Sequence, residues 1–477
     1  MEDQQAPSAS GPTPAPKSSK AMWIVVAVIV VVVVVLAAAV LGGLFAPAGK
    51  PALRIGTLLS LTGGLSPYGP SDTKGANLAV EEINKAGGVL GQPIQIFNED
   101  DQTLPVAAAA AATKLITQNH VNAIVGAQFS GGSLAAIDIA ATNGVVMVSP
   151  SATSVKLSDL TVTKGWFFRT ISSDALQGAV AGAYLYTNSS YRYAVAMAIN
   201  NPYGVGLAAN FKSKFVALGG TANNSVIIPE AQTDYTSYLT QLFNENPQVV
   251  YFISYPDTGV TVMKQWQAGL ATHPTWNKKW VFSEGLQDQG FVDSLRDVSV
   301  GVDVTKIWGT APASPNSTLY NAFNSRYMGR FFNQTPALYA SHAYDAVYMI
   351  ALAAQKAGSV DGAAIKAQLR AVSGPSGTVI NGNQWAKALT ELGAGHAVNW
   401  EGSAGSEDLN TTNDPTRGSY EVWGVSAAPN YKIYRIAYFG ESLVQPAAAL
   451  GLASKVVASQ SGFFVAKMQA VAAPRQD

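Results

Sequence analysis

The sequence contains no cysteine. That excludes disulfides, thiolate metal sites and a thiol nucleophile, and it removes the residue a lipid anchor would modify. It leaves the redox compartment open. Charge is also scarce. Only 13% of the 477 residues are Asp, Glu, Lys or Arg, and 30 basic side chains balance 30 acidic ones. A neutral chain gives no electrostatic argument for nucleic acid. The four histidines, His120, His273, His342 and His396, are far apart and show no metal-ligand spacing. No GxGxxG follows a strand-like run, no phosphate loop ends in Gly-Lys-Ser/Thr, and no GxSxG elbow is present. Dinucleotide binding, nucleotide hydrolysis and serine hydrolysis therefore have no motif behind them. No cofactor or metal is expected, and no enzymatic activity.

One long apolar run is present. Residues 1–20 are rich in Pro, Ser, Ala and Gln, a composition that reads as disordered. Met22 to Ala46 then carries no charge and includes an unbroken Val30–Val35. About 20 apolar residues span a bilayer, so residues 21–46 are expected to form a transmembrane anchor. The competing reading is a signal peptide cleaved near Ala46-Pro47-Ala48. A signal's apolar region is about 7–15 residues long, and this run is longer. Lys17 and Lys20 before it and Lys50 and Arg54 after it nearly balance, so flanking charge does not set orientation.

From Leu53 onward, short apolar runs alternate with helical periodicity. Leu53–Leu59, Ile94–Phe97, Val121–Val125 and Val145–Val148 read as strands. Helices are expected from the spacing of Ala76, Ala79, Val80 and Ile83 (with Asp72 as N-cap), from Pro105 to Gln118, and around Leu134–Ala141. A second series follows Arg169, with strands at Tyr193–Ile199, Val226–Ile228, Val249–Ile253 and Trp280–Phe282. This order implies parallel sheets covered by helices, and two series imply two α/β lobes. Further helices are expected at Asn316–Phe332, Ala337–Ala357, Ala363–Val372 and Gln384–Leu392. Two strand-like pieces, Tyr420–Val425 and Tyr431–Ile436, close the globular region. Residues 441–477 read as a tail, with Leu450, Val457, Phe464 and Val471 spaced for one helical stripe.

The strands end in polar residues. Val121–Gly126 runs into Gln128-Phe129-Ser130-Gly131-Gly132, and Val145–Val148 into Ser149-Pro150-Ser151-Ala152-Thr153. Val249–Ile253 is followed by Ser254-Tyr255, and Trp280–Phe282 by Ser283-Glu284. In open parallel sheets, ligands sit outside the carboxyl ends of the strands. Hydroxyls and helix amides suit a carboxylate and an acid suits an ammonium, so the edge fits a small zwitterion. Each residue also has a plainer reading. Ser130 could simply cap its helix, Thr153 could belong to an ordinary turn, and Glu284 could be a solvated loop acid. Gly131 and Gly132 would let a ligand approach the backbone. Tyr68, Tyr203 and Tyr255 follow strands and could wall a pocket or pack on their own lobe. Asp100-Asp101 reads as a solvated strand-end pair rather than a metal site. Asn188, Asn223, Asn316, Asn333 and Asn410 begin glycosylation sequons, a number near chance.

An ordered set of strings then resembles the type I periplasmic solute-binding proteins of the branched-chain amino acid (Leu/Ile/Val) ABC-transport family. They are Ile55–Gly63 with Tyr68-Gly69, Gly75-Ala76 through Glu82-Ile83-Asn84 to Gly87-Gly88, Asp100-Asp101, and Ser149–Thr153. Next come Phe168-Arg169-Thr170 with Asp174 and Gln177-Gly178, Tyr203-Gly204, and Ser283-Glu284-Gly285. Ala343-Tyr344-Asp345-Ala346, Trp400-Glu401-Gly402 and Tyr420–Trp423 complete the set, which covers about residues 52–440.

The resemblance implies two Rossmann-like lobes with parallel sheets, joined by three crossings near Arg169–Asp174, Ile307–Gly309 and Val398–Gly402. Residues 52–172 with 309–398 would form the first lobe, and 173–308 with 399–440 the second. Ser130, Thr153 and the backbone near Ser151 would hold a ligand carboxylate, and Glu284 an ammonium. Tyr68, Tyr203, Tyr255 and Tyr339 would line or close the side-chain pocket. The implied function is capture of an amino acid outside the cytoplasm and delivery to ABC permease subunits, here from a membrane-anchored protein. A sensor ectodomain and a binder of a carboxylate without an amine are the alternatives. The anchor and the lack of cysteine depart from the family's usual free or lipid-anchored form.

Overall fold

The computed structural model describes residues 24, 27–33, 50–297, 299–313, 315 and 317–443, with side chains to Gly440. The expected disordered segment 1–20, most of the expected anchor 21–46, the tail beyond 443 and the sequon at Asn316 lie outside the described residues. The chain divides into a unit up to Pro51 and a unit from Ala52 onward. In the first, residues 27–33 are helical with exposed side chains. Among the described residues, no helix is long and apolar enough to cross a membrane.

The second unit contains two large sheets. Five strands build the first: β1 (Arg54–Leu59), β2 (Gln95–Asp100), β3 (Ala123–Gly126), β4 (Val146–Ser149) and β5 (Phe167–Arg169). Their order is β2-β1-β3-β4-β5 and every pairing is parallel. The central strands are buried along almost their whole length. This suits a parallel sheet covered on both faces. One face packs on the helices Gly69–Lys85 and Ala340–Ala357, the second of which is buried at every position from Ala340 to Ala354. The two helices approach so closely that a Cβ on Gly75 would stand 2.1 Å from the Ala340 carbonyl oxygen, so only glycine fits. The other face packs on Pro105–Thr117 and Ser130–Thr142.

The second sheet uses β6 (Tyr193–Ile199), β7 (Thr221–Ala222), β8 (Val226–Ile228), β9 (Val249–Ile253), β10 (Lys279–Phe282) and β11 (Trp308–Pro312). A small pair, β12 (Thr378–Ile380) and β13 (Val398–Trp400), stands apart. Two long strands then follow, β14 (Arg417–Val425) and β15 (Ile433–Leu443). The order is β15-β14-β11-β10-β9-β6-β7, with β8 also on β6. The pairings from β6 to β11 are parallel, but β14 and β15 are antiparallel. The second sheet is therefore mixed rather than parallel throughout. A short loop joins β14 to β15, and so short a link permits only an antiparallel pair.

The lobe boundaries also move. The expected split at 308/309 cuts into β11, which lies wholly in the second sheet, so the chain leaves that sheet after Pro312. Residues 401–416 do not join the second lobe as expected. Asp345, on a first-lobe helix, accepts the Ser403 and Ala404 N–H groups at 2.9 and 2.7 Å. Asn413 donates to the β5 carbonyl of Phe167 at 3.0 Å, and Asp414 pairs with Arg169. The third crossing therefore falls near Arg417. At the other end, β15 runs to Leu443, past the expected end at 440.

Candidate functional site

The carboxyl ends of both sheets carry the expected residues. At β3 the chain turns through Gly126, with φ +137°, where a Cβ would lie 2.2 Å from the Leu58 carbonyl oxygen. Gln128, Phe129 and Ser130 follow. Ser130 is buried at the first position of its helix, but its hydroxyl does not cap that helix. It accepts the Ser154 N–H at 3.1 Å instead, tying the β3 loop to the β4 loop. Gly131 and Gly132 are explained by Phe129, since a Cβ on Gly132 would meet its ring at 2.6 Å. The small residues make room for an aromatic side chain.

The β4 loop carries Ser151 and Thr153, both buried. Ser151 Oγ donates to the Gln128 carbonyl at 2.5 Å. Arg169, fully buried at the end of β5, holds this loop from behind. Its guanidinium donates to the Ala152 and Ser154 carbonyls at 3.0 and 3.1 Å, to Ser158 Oγ at 2.7 Å, and to Asp414 at 2.7 Å. Its full hydrogen bonding is what makes a buried ion pair tolerable.

On the second lobe, Glu284 follows β10 and is buried, not solvated. Gln177 Nε2 donates to its Oε2. Burial pushes its pKa up to about 7, offset in part by Gln177 and Tyr203. Asp174 begins the helix Asp174–Thr187, entered at the first crossing. Both of its carboxylate oxygens are buried without a hydrogen-bond partner. Burial and the nearby charge of Glu284 push its pKa well up, offset in part by the Thr153 hydroxyl and the Arg169 guanidinium. The Asp174 carboxylate is thus near enough to feel Thr153 and Glu284 while hydrogen-bonded to neither.

The tyrosines close around this group. Tyr203 and Tyr255 stack with ring centroids 5.7 Å apart, and Tyr203 donates to Ser283 Oγ at 2.8 Å. Tyr68 and Tyr339 meet edge to face at 5.5 Å. Tyr68 Oη donates across the cleft to the Glu284 carbonyl at 3.2 Å, and Ser154 Oγ crosses to the Pro202 carbonyl at 3.0 Å. All four tyrosines are buried, and each lies in the field of Glu284. A separate polar crevice opens at the crossings, among Thr170, Ser172, His342 and Tyr420.

Asp174 and Gln177 entered the sequence reading only as part of a string, without roles. Their spacing of three, on one helix face just after a strand end, is the signal that could have singled them out. Asp72 does not cap its helix as expected. It lies inside the first turn, buried, and accepts from Gln128. Asp100 and Asp101 are not a solvated pair, since Asp101 is fully buried. Asp100 accepts the Leu61, Thr62 and Gln102 N–H groups. Asp101 accepts those of Thr103 and Gln128, plus the Ser60 hydroxyl. They fix loops.

Residues 52–389 match the periplasmic binding protein family, and the chain belongs to that family. The Leu/Ile/Val-binding protein BraC3 of Rhizobium johnstonii is 29% identical over 319 residues, which cover 67% of this chain and 83% of that protein. The branched-chain amino acid transporter substrate binding protein LivJ from Streptococcus pneumoniae, solved with isoleucine, has a TM-score of 0.65 at 24% identity. It covers 83% of this chain and 100% of its own. A solute binding protein of an R. palustris ABC transporter, solved with benzoate, has a TM-score of 0.63 at 18% identity and covers 83% and 99%. At such identities the two structures establish the shared fold.

Proposed function

We propose that this chain captures an α-amino acid between its two lobes outside the cytoplasm and delivers it to an ABC permease, as a binding protein and not an enzyme. Residues 21–46 hold it in the membrane. The observation that carries the ligand class is Glu284. Its hydrogen-bond partner is the Gln177 amide rather than a basic side chain, and Asp174 adds a second buried acid nearby. Two buried carboxylates with no basic side chain bonded to either are costly, and a ligand ammonium would relieve both. Ser130, Thr153 and the backbone near Ser151, whose own hydroxyl donates to the Gln128 carbonyl, then meet the ligand carboxylate, and the four tyrosines enclose its side chain.

A carboxylate without an amine is the second reading, favoured by the stacked pair Tyr203 and Tyr255, which could hold a ring. A melting-curve screen of the chain against α-amino acids and aromatic carboxylates separates the two, because a ligand of the folded state raises its apparent stability. Stabilisation by amino acids, lost in Glu284→Gln, supports the proposal. Stabilisation by aromatic carboxylates alone contradicts it. N-terminal sequencing of the mature protein tests the anchor, and a new terminus near Gly49 would make residues 21–46 a signal peptide.

A further inference from the structure

A second polar pair lies behind the aromatic wall. Asp72 is fully buried in the first turn of the helix Gly69–Lys85, and Gln128, two residues before Ser130, is buried beside it. Gln128 Nε2 donates to Asp72 Oδ2 at 2.6 Å. That leaves Asp72 Oδ1 and Gln128 Oε1 buried with no hydrogen-bond partner. Buried acceptors are seldom left in this condition unless a water, ion or ligand meets them.

Two contacts tie the pair's backbone to the cleft. The Asp72 N–H donates to the Tyr68 carbonyl at 3.1 Å. The Gln128 carbonyl is the acceptor of Ser151 Oγ. The rings of Tyr68 and Tyr339 pack together, and Tyr68 reaches Glu284. Asp72 also acts on both hydroxyls: after burial, the raised pKa of Tyr68 owes to Asp288, Glu284 and Asp72, and that of Tyr339 to Glu284, Tyr68 and Asp72. Glu284 and the Asp72–Gln128 pair thus lie about the same two tyrosines. A pocket for a purely aliphatic side chain needs no such oxygens, since an aliphatic ligand would leave them unpaired and dry.

We propose that Asp72 and Gln128 form a polar subsite for the ligand's side chain, so that the preferred α-amino acid ends in an N–H or O–H donor, not a branched aliphatic group. This rests on the amino-acid reading of Glu284. Burial favours the neutral form of Asp72, offset in part by the Gln128 amide, and an incoming donor would favour the carboxylate.

Titration calorimetry of the full-length chain with glutamine, lysine, threonine and leucine tests this. One of the first three is expected to bind about tenfold or more tighter than leucine. The winner tells whether amide, ammonium or hydroxyl is recognised. Gln128→Leu should narrow that preference about tenfold. Asp72→Asn, which keeps the shape and so guards against misfolding, should also narrow it. Tightest binding of leucine, with an unchanged leucine-to-glutamine ratio in both variants, would overturn this inference and leave the amino-acid reading standing. No binding of any of the four would overturn both.

Discussion

Ser130 and Ser151, on the first lobe, already hold protein partners: Ser130 accepts the Ser154 N–H, and Ser151 donates to Gln128. Glu284 and Asp174, on the second, are acids driven toward their neutral forms by burial, Asp174 also by the charge of Glu284. The first half of the cleft is a cradle whose shape is fixed before any ligand arrives, with Arg169 as its brace. The second half is destabilised until a positive charge enters. On the proposed reading, preorganisation on one side would limit the ordering cost of binding, and relief of buried charge on the other would supply specificity for an amine. A functional site that lowers the stability of the empty protein in this way is a common trade.

The largest way to break the contrast is to remove the brace. Arg169→Met leaves Asp414 buried without its partner and frees the loop carrying Thr153. It should cost about 3–5 kcal/mol of folding stability, read by denaturant unfolding. Next is the second half itself. Glu284→Gln should weaken amino-acid binding by about 2–5 kcal/mol, or roughly 30-fold or more, measured by calorimetry. Ser130→Ala and Thr153→Ala each remove a hydroxyl that would meet the proposed ligand carboxylate, and each should cost about 1.5–3 kcal/mol of binding.

The smallest effect sharpens the comparison through pH. The pKa of Glu284 stands near 7 in the folded chain against an ordinary 4.5. Its contribution to stability is therefore fully present below 4.5 and is lost as pH rises through 7. Asp174 acts in the same direction. The ligand-free Glu284→Gln variant should lose less melting temperature than wild type between about pH 5 and pH 8. His342, whose pKa burial lowers to about 4, opposes this trend, but equally in both proteins. Parallel melting curves would show that Glu284 carries no such penalty.

Part of this was legible in the sequence. Ser130, Thr153 and Glu284 stand directly after apolar runs, so the rule for sheet edges finds them without knowing the fold. Tyr68 and Tyr255 were legible as loop residues, Tyr203 stands instead in the first turn of the helix Pro202–Ala217, and which lobe each closes over depends on contacts such as Tyr68 to Glu284, which link positions far apart in the chain. Asp72 was not legible as a candidate site residue, and Asp174 only through its spacing of three from Gln177. Both sit in first turns of helices, where an acid usually serves the helix itself. Only the third dimension shows that one faces Glu284 and the other Gln128. The boundary near Arg417 was missed because Asp345 and Arg169 hold residues 401–416 to the first lobe by side-chain bonds that no local pattern announces. The hairpin β14–β15 was seen as two strands, whose short link makes them antiparallel to each other, but the direction of β14 against β11 follows from how the third crossing enters the sheet.

The most direct test compares the best-binding α-amino acid with the α-hydroxy acid of the same side chain, by calorimetry on wild type and Glu284→Gln at one pH near 7.5. The two ligands share the carboxylate that the first half would hold and differ only at the amine. Wild type should prefer the amino acid by roughly 30-fold or more, and Glu284→Gln should erase most of that preference while binding the hydroxy acid about as before. Equal binding of the two ligands by wild type, or an undiminished preference in the variant, would contradict the assignment of Glu284 to the ligand's ammonium.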